Sequence, residues 1–285
     1  MKPAFSTVAC PDWTLSKLAT RAVAWGFTGC ELRTFGYASR EFACDPALTA
    51  PAKLRGMLDR SGLSICSLAT GIRYDDPITP PLLGFLLDHE SMIRETQHCI
   101  DLAVQLEAPF VRVFGFEIVG HEPRPKAVAR IVERLLKCLD YCRNSGVRIL
   151  LENGGSFSTA VDLAEIMDKA DHPLLCASYS VPVAIAAGEK PENGVNVLGE
   201  RLACVKLKDM QQGRPCALGE GDVPCRAAVE SLGRAGYGGW VVYEFDRAWL
   251  GASDVDVDTV MAASARTLYR WIDGQVPSPR HPVVA

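Results

Sequence analysis

A chain of 285 residues, 48% hydrophobic and 22% charged, is long enough to bury one large core and has the size of a single domain. Its net charge of −4 offers no basic field to a polyanion, which argues against nucleic acid as a partner. No window reaches the roughly 18 apolar residues of a membrane helix, the opening Met1-Lys2-Pro3-Ala4-Phe5-Ser6 is too short and polar for a secretory signal, and the eleven cysteines, scattered with no Cys-x-x-Cys pair, read as free, mostly buried thiols of a cytoplasmic protein.

Eight short apolar runs are predicted as strands, at 4–9, 29–33, 63–69, 110–114, 147–152, 174–180, 202–207 and 240–243. Amphipathic stretches fill the gaps. Leu15, Leu18, Ala19, Ala22 and Val23 precede Gly26, and Leu54, Met57 and Leu58 precede Gly62. Ile93, Cys99, Ile100 and Ala103 follow, then Val128, Ile131, Leu135, Leu136 and Leu139 before Gly146. Cys138 and Cys142 share a face of that last helix, where packing is the expected role. Asp222 is expected to cap a helix with Pro224 in its first turn and Gly236 at its end. The final helix is placed at about 256–273, and the proline-rich stretch 276–285 is expected on the surface or at a subunit contact of a homo-oligomer.

Strand and helix alternate throughout. No Gly-x-Gly-x-x-Gly follows the first strand, so an open doubly wound sheet loses to an α/β fold closed as a (β/α)8 TIM barrel, with 1–275 as one barrel domain. In such a barrel the chemistry is built where strands end. Glu152, Ser180, Lys206, Lys208 and Glu244 fall there. Side-chain alternation turns Lys206 and Lys208 to the lumen and Val205 and Leu207 to the helices.

Arg112, near the end of the fourth strand, is placed to grip a phosphate or carboxylate, or to pair with a neighbouring acid. Glu31 and Arg33 read as a mutual structural network, and Glu220 lies in Gly-Glu-Gly-Asp, a loop expected over the mouth in reach of a substrate. Trp13, Tyr74, Phe114, Phe116, Tyr179 and Trp249 read first as core and second as sugar-stacking platforms. Of the histidines, His89 and His98 belong to a helix, His172 precedes a strand, His281 is in the tail and His121 is in a loop, so none reads as a metal ligand.

Several segments together carry a resemblance: Ala24-Trp-Gly-Phe-Thr-Gly-Cys-Glu-Leu-Arg33, Ala108-Pro-Phe-Val-Arg-Val-Phe-Gly115, Leu150-Leu-Glu-Asn153, Val205-Lys-Leu-Lys-Asp209, Leu218-Gly-Glu-Gly-Asp-Val-Pro224 and Tyr237-Gly-Gly-Trp-Val-Val-Tyr-Glu244. Over nearly its whole length the chain is similar to the xylose isomerase-like barrels, the sugar phosphate isomerases and epimerases that also include endonuclease IV and hydroxypyruvate isomerase. The resemblance implies a divalent metal (Mn, Mg or Zn) held by Glu, Asp, His and Glu from successive late strands, polarising a sugar oxygen during proton transfer. Glu152 and Glu244 match. The Asp position reads Ser180, or Ser178 two residues earlier; the His position reads Lys206; two further places where relatives carry His read Val183 and Gly154.

A protonated lysine has three donors and no acceptor, so it cannot bind metal. It can neutralise carboxylates instead. At about 4 Å and an effective dielectric near 20, each such contact is worth on the order of 4 kcal/mol before desolvation. The expectation is therefore a metal-free centre, or at most a weakly bound divalent ion on Glu152, Glu244 and water. Glu152 or Glu244 would act as base beside Lys206 and Arg112 as electrophiles, with Arg112, Ser180, Lys208 and Glu220 contacting a small-molecule substrate. A Schiff base at Lys206 is disfavoured by the two glutamates. The functional expectation is a sugar isomerase or epimerase acting on a small keto sugar, polyol or hydroxy acid. The alternatives are a non-catalytic carbohydrate-binding protein and a lyase or dehydratase.

Overall fold

Gly-bounded apolar runs alternating with amphipathic stretches close here into one barrel. The structure is a computed structural model and describes residues 1–35, 41–42, 50–76, 90–247 and 255–274. His89, Trp249, His281 and the tail at 276–285 lie outside the described residues.

The strands are β1 (Lys2–Ser6), β2 (Gly29–Phe35), β3 (Glu41–Phe42), β4 (Ser64–Arg73), β5 (Phe110–Phe114), β6 (Arg148–Glu152), β7 (Leu175–Ser180), β8 (Leu202–Leu207), β9 (Asp209–Gln211), β10 (Arg214–Cys216) and β11 (Trp240–Tyr243). Eight of them pair in parallel in the order β1-β11-β8-β7-β6-β5-β4-β2, and β2 pairs back on β1 to close the ring. The described helices are α1 (Leu15–Trp25), α2 (Pro51–Arg60), α3 (Ser91–Leu106), α4 (Arg124–Tyr141), α5 (Ala160–Ala170), α6 (Val181–Ala186), α7 (Pro191–Leu198), α8 (Cys225–Arg234) and α9 (Val257–Asp273). Local chemistry sets their ends. Thr14 accepts from the Lys17 amide to start α1, Gly26 closes it at φ +99°, and Thr159 with Asp162 forms a capping box on α5.

Two cores follow from the two-residue period of the strands. Val111, Val113, Ile149, Leu151, Val205, Leu207, Val241 and Tyr243 face the helices in one continuous cluster. Ala4, Cys66, Phe110, Leu150, Cys176, Cys204 and Val242 form a separate apolar plug inside the barrel. Two residues further along the same strands come Arg112, Glu152, Ser178, Lys206 and Glu244, so a charged layer rests on that plug at the C-terminal end of the barrel. The apolar layer keeps water from reaching the ions from below.

All eight expected barrel strands form, with shifts at their ends. The first starts at Lys2 and stops at Ser6, because Thr7–Ala9 turns into a 3-10 helix. The β9–β10 hairpin is an addition, turning through Gln212 at φ +52° and Gly213 at φ +76°. Asp222 does not cap α8. That helix starts at Cys225 with Pro224 at its N-cap and no side-chain cap, while Asp222 is exposed. Gly236 follows the helix at φ +68°, as its position predicts. Nine of the ten described cysteines are buried, and burial pushes the Cys30, Cys142 and Cys204 thiols up to about 12. Among the described residues no helix is long and apolar enough to cross a membrane.

Helix α7 approaches β7 through Gly194. A Cβ there would stand 2.2 Å from Cζ of the fully buried Tyr179, whose hydroxyl donates to Glu189 at 2.8 Å. Gly194→Ala is accordingly expected to lower stability by about 1–3 kcal/mol, read as a shifted urea midpoint at unchanged slope.

Candidate active site at the barrel mouth

Lys206 stands at the centre of the charged layer. Its Nζ lies 2.5 Å from Oε1 of Glu31 on β2, 3.3 Å from Oε2 of Glu244 beyond β11, and 3.8 Å from Oε2 of Glu152 on β6. Its side chain is 2% exposed. Arg112, equally buried, donates from Nη1 to Glu152 Oε1 at 2.9 Å and from Nη2 to the Thr70 carbonyl at 2.6 Å, with its guanidinium 4.6 Å from the Phe114 ring centroid. Ser178, paired in register with Glu152, donates to its Oε2 at 2.7 Å, and Ser67 donates to Glu31 Oε2 at 3.2 Å. At the outer edge the Lys208 amine lies 3.4 Å from Glu244 Oε1 and bonds Asp246.

The charge states follow from these contacts. Burial alone would lower the Lys206 pKa, but the carboxylates of Glu152, Glu31 and Glu244 outweigh it and hold the amine charged, well above its usual range. A protonated amine is no nucleophile, so these contacts disfavour a Schiff base at Lys206. Burial would raise the Glu244 carboxyl, yet Lys206, Lys208 and Arg112 hold it well below the ordinary carboxylate range. Two residues on, Asp246 moves the other way. Burial first and the Glu244 carboxylate second push it up to about 6, with Lys208 opposing only in part.

Above this layer opens a cavity of about 370 Å³, within the size range of small-molecule sites. Lys206, Arg112 and Glu152 form its floor, and Arg33, Phe114, Phe116, Ser180, Lys208, Glu244 and Asp246 its walls. Phe116 adopts φ +68° at the rim, and its backbone lies so close to Gly155 that a Cβ on the glycine would sit 2.5 Å from the Phe116 carbonyl oxygen. Phe114 and Phe116 meet edge to face at 5.9 Å and give the cavity an apolar wall beside Arg112.

The structure thus gathers Glu152, Glu244, Lys206, Lys208, Arg112 and Ser180 around one cavity. Ser180 contributes a wall, but its backbone N–H and C=O are tied to the Asn153 amide, and Ser178 is the serine whose hydroxyl meets Glu152. Arg112 is engaged by Glu152 and Thr70. Glu220 is displaced from its expected place. It is exposed and borders a different cavity, between the 217–226 segment and Trp271 and Arg270 of α9. Glu31 belongs to the ion layer through Lys206, while Arg33 donates to the carbonyls of Ala69 and Thr70. Asp246 is the cavity residue that sequence reading passed over. Its signal was the inward alternation continuing from Glu244 beyond the strand end. Tyr74 and Tyr179 are core, bonded to Thr96 and Glu189; Trp13 packs on Trp25. The described histidines, His98, His121 and His172, are not in the cavity wall.

Asp209 organises the loop beside Lys208. Buried, it accepts backbone N–H bonds from Met210 (3.0 Å), Gly219 (2.7 Å) and Val223 (3.2 Å). These bonds tie the 217–223 loop to the residue that follows Lys208. Asp209→Ala is expected to cost about 3 kcal/mol in unfolding free energy, because three donors lose a charged acceptor.

A divalent cation does not fit the residues present. The point where Glu31, Glu152 and Glu244 converge is filled by an ammonium without a lone pair, and the Ser178 hydroxyl is spent on Glu152. Among the described residues no group of three or more His, Cys, Asp or Glu side chains is arranged to hold a metal ion.

A family model described as xylose isomerase-like TIM barrel matches residues 19–271. No curated protein sequence matches the chain. Among solved structures, an L-ribulose 3-epimerase superposes with a TM-score of 0.79 at 14% identity, covering 99% of this chain and 100% of that one. The IolI protein with a bound zinc atom gives 0.78 at 14% identity, covering 98% and 100%. The probable 3-DHS dehydratase AsbF of Bacillus anthracis, involved in petrobactin synthesis, gives 0.73 at 15% identity, covering 95% and 99%. At these identities the superpositions speak for the fold. The match over most of the chain, on a closed eight-stranded barrel with its acids at the strand ends, places this protein in the xylose isomerase-like TIM barrel family.

Proposed function

We propose that the barrel mouth binds a small keto sugar or hydroxy acid and moves a proton next to its carbonyl, as a sugar isomerase or epimerase. The observation that carries this reading is the cavity itself, whose floor and walls combine carboxyl groups with cations held rigidly by ion pairs. Similar folds are named as an L-ribulose 3-epimerase and a probable 3-DHS dehydratase, in keeping with the proposal.

The roles follow from accessibility. Glu152, on the cavity floor, is engaged by Arg112, Ser178 and Lys206 and fixes those groups. Glu244 and Asp246 are each 20% exposed in the cavity. Asp246, bonded to Lys208 at the outer edge, carries the proton between substrate carbon and oxygen, and Glu244 stays an anion between Lys206 and Lys208. Lys208 then faces the developing oxyanion, with the Lys206 charge beneath it, and such fixed cations stabilise charge without reorganising. Phe114 and Phe116 cover the apolar face of the ligand.

The test is wash-in of solvent deuterium, followed by proton NMR across a panel of ketoses, polyols and hydroxy acids. Exchange at the carbon beside the carbonyl supports the reading. Thermal stabilisation by a ligand with no exchange and no turnover would instead make the protein a carbohydrate binder.

A further inference from the structure

Three carboxylates, from Glu31, Glu152 and Glu244, reach toward one point of the lumen, and their charge needs a cation there. Here the point holds the Lys206 amine, 2.5 to 3.8 Å from Glu31, Glu244 and Glu152. A second organic cation, Arg112, covers the other Glu152 oxygen at 2.9 Å. Two fixed positive charges therefore meet the acids from within the chain.

Glu31 shows what this arrangement is for. It is 1% exposed, its side chain is bonded to Lys206 and to Ser67, and it is absent from the cavity wall. Its carboxylate serves the amine.

We infer that Lys206, pinned by Glu31, is a built-in replacement for a divalent cation, so that the site keeps its shape and charge balance without metal. The inference concerns the same cavity as the proposed reaction but stands whichever reaction occurs there, because its readouts are metal content and thermal stability. A tethered ammonium is not lost to chelators or dilution. It also occupies the volume a metal would need, so added metal has nowhere to bind until the lysine is shortened.

The experiment measures metal content of the purified full-length protein and its Tm with EDTA, manganese, zinc or magnesium, for wild type, Lys206→His and Glu31→Gln. The expected wild type holds substoichiometric metal, with a Tm that neither EDTA nor added ions move. Lys206→His is expected to gain a rise of roughly several degrees at saturating manganese or zinc. Glu31→Gln should lower the Tm and gain no metal response, which keeps the inference testable if the histidine variant fails to fold. Stoichiometric metal in wild type whose removal lowers the Tm would overturn it. So would a folded Lys206→His with no metal response, or a Glu31→Gln protein as stable as wild type. Absence of deuterium exchange in wild type would sink the proposed reaction and leave this inference intact.

Discussion

Lys206→Met is expected to destabilise the protein by about 3–5 kcal/mol, the cost of breaking a buried ion cluster by removing one partner. Methionine keeps much of the volume, so the loss reports charge rather than a cavity. Without the ammonium, Glu31 and Glu244 face each other across an apolar-floored lumen, and Glu31, at 1% exposure, has no solvent to turn to. Either the acids repel or one takes up a proton, and both routes cost free energy. Urea unfolding measures the loss directly. In a chain of this size each kcal/mol moves the Tm by about 2–4 °C. Combining Lys206→Met with Glu31→Gln should recover part of the loss, since the second change removes a carboxylate stranded by the first, and the double-mutant cycle gives their coupling. A single variant as stable as wild type would mean that the cluster contributes nothing to folding.

The second large effect is on turnover. Asp246→Asn is expected to lower kcat by about 10²–10⁴-fold, the usual contribution of a positioned acid or base, with a much smaller change in KM. The amide matches the carboxyl in shape but cannot shuttle a proton. Loss of deuterium wash-in with retained ligand-induced thermal stabilisation would separate lost chemistry from lost binding. Equal loss of both would demote Asp246 to a binding residue, and an unchanged rate would move proton transfer to Glu244. Glu152→Gln is a weaker probe of chemistry, because it also releases Arg112 and Ser178 from their hydrogen bonds.

Much of this architecture is legible in the chain. Short apolar runs between glycines mark the eight barrel strands because a strand covered by helices needs apolar residues, and the βα alternation leaves few topologies. The two-residue period turns Lys206 and Lys208 inward and puts Glu152 and Glu244 at the barrel mouth, all read from spacing alone. Helix ends marked by glycine, such as Gly26 and Gly236, form as the sequence suggests.

What the sequence leaves open are the contacts between strands far apart in the chain. Glu31 and Lys206 are 175 positions apart and meet across the lumen, a pairing no local pattern announces. Whether Ser178 or Ser180 reaches Glu152 depends on the register of β6 against β7, and Glu152 opposite Ser178 decides it. Loop positions escaped for a related reason. Asp222 has a capping residue's sequence, yet the loop donors bond the distant side of the same segment at Asp209, and Glu220 is carried with that loop to another cavity. Sequence alone thus determined the strands, their facing and the residue types at the mouth, because those depend on neighbours two to four positions away. Only closure of the barrel decided which acid meets which cation, because that depends on register and on distances across the lumen.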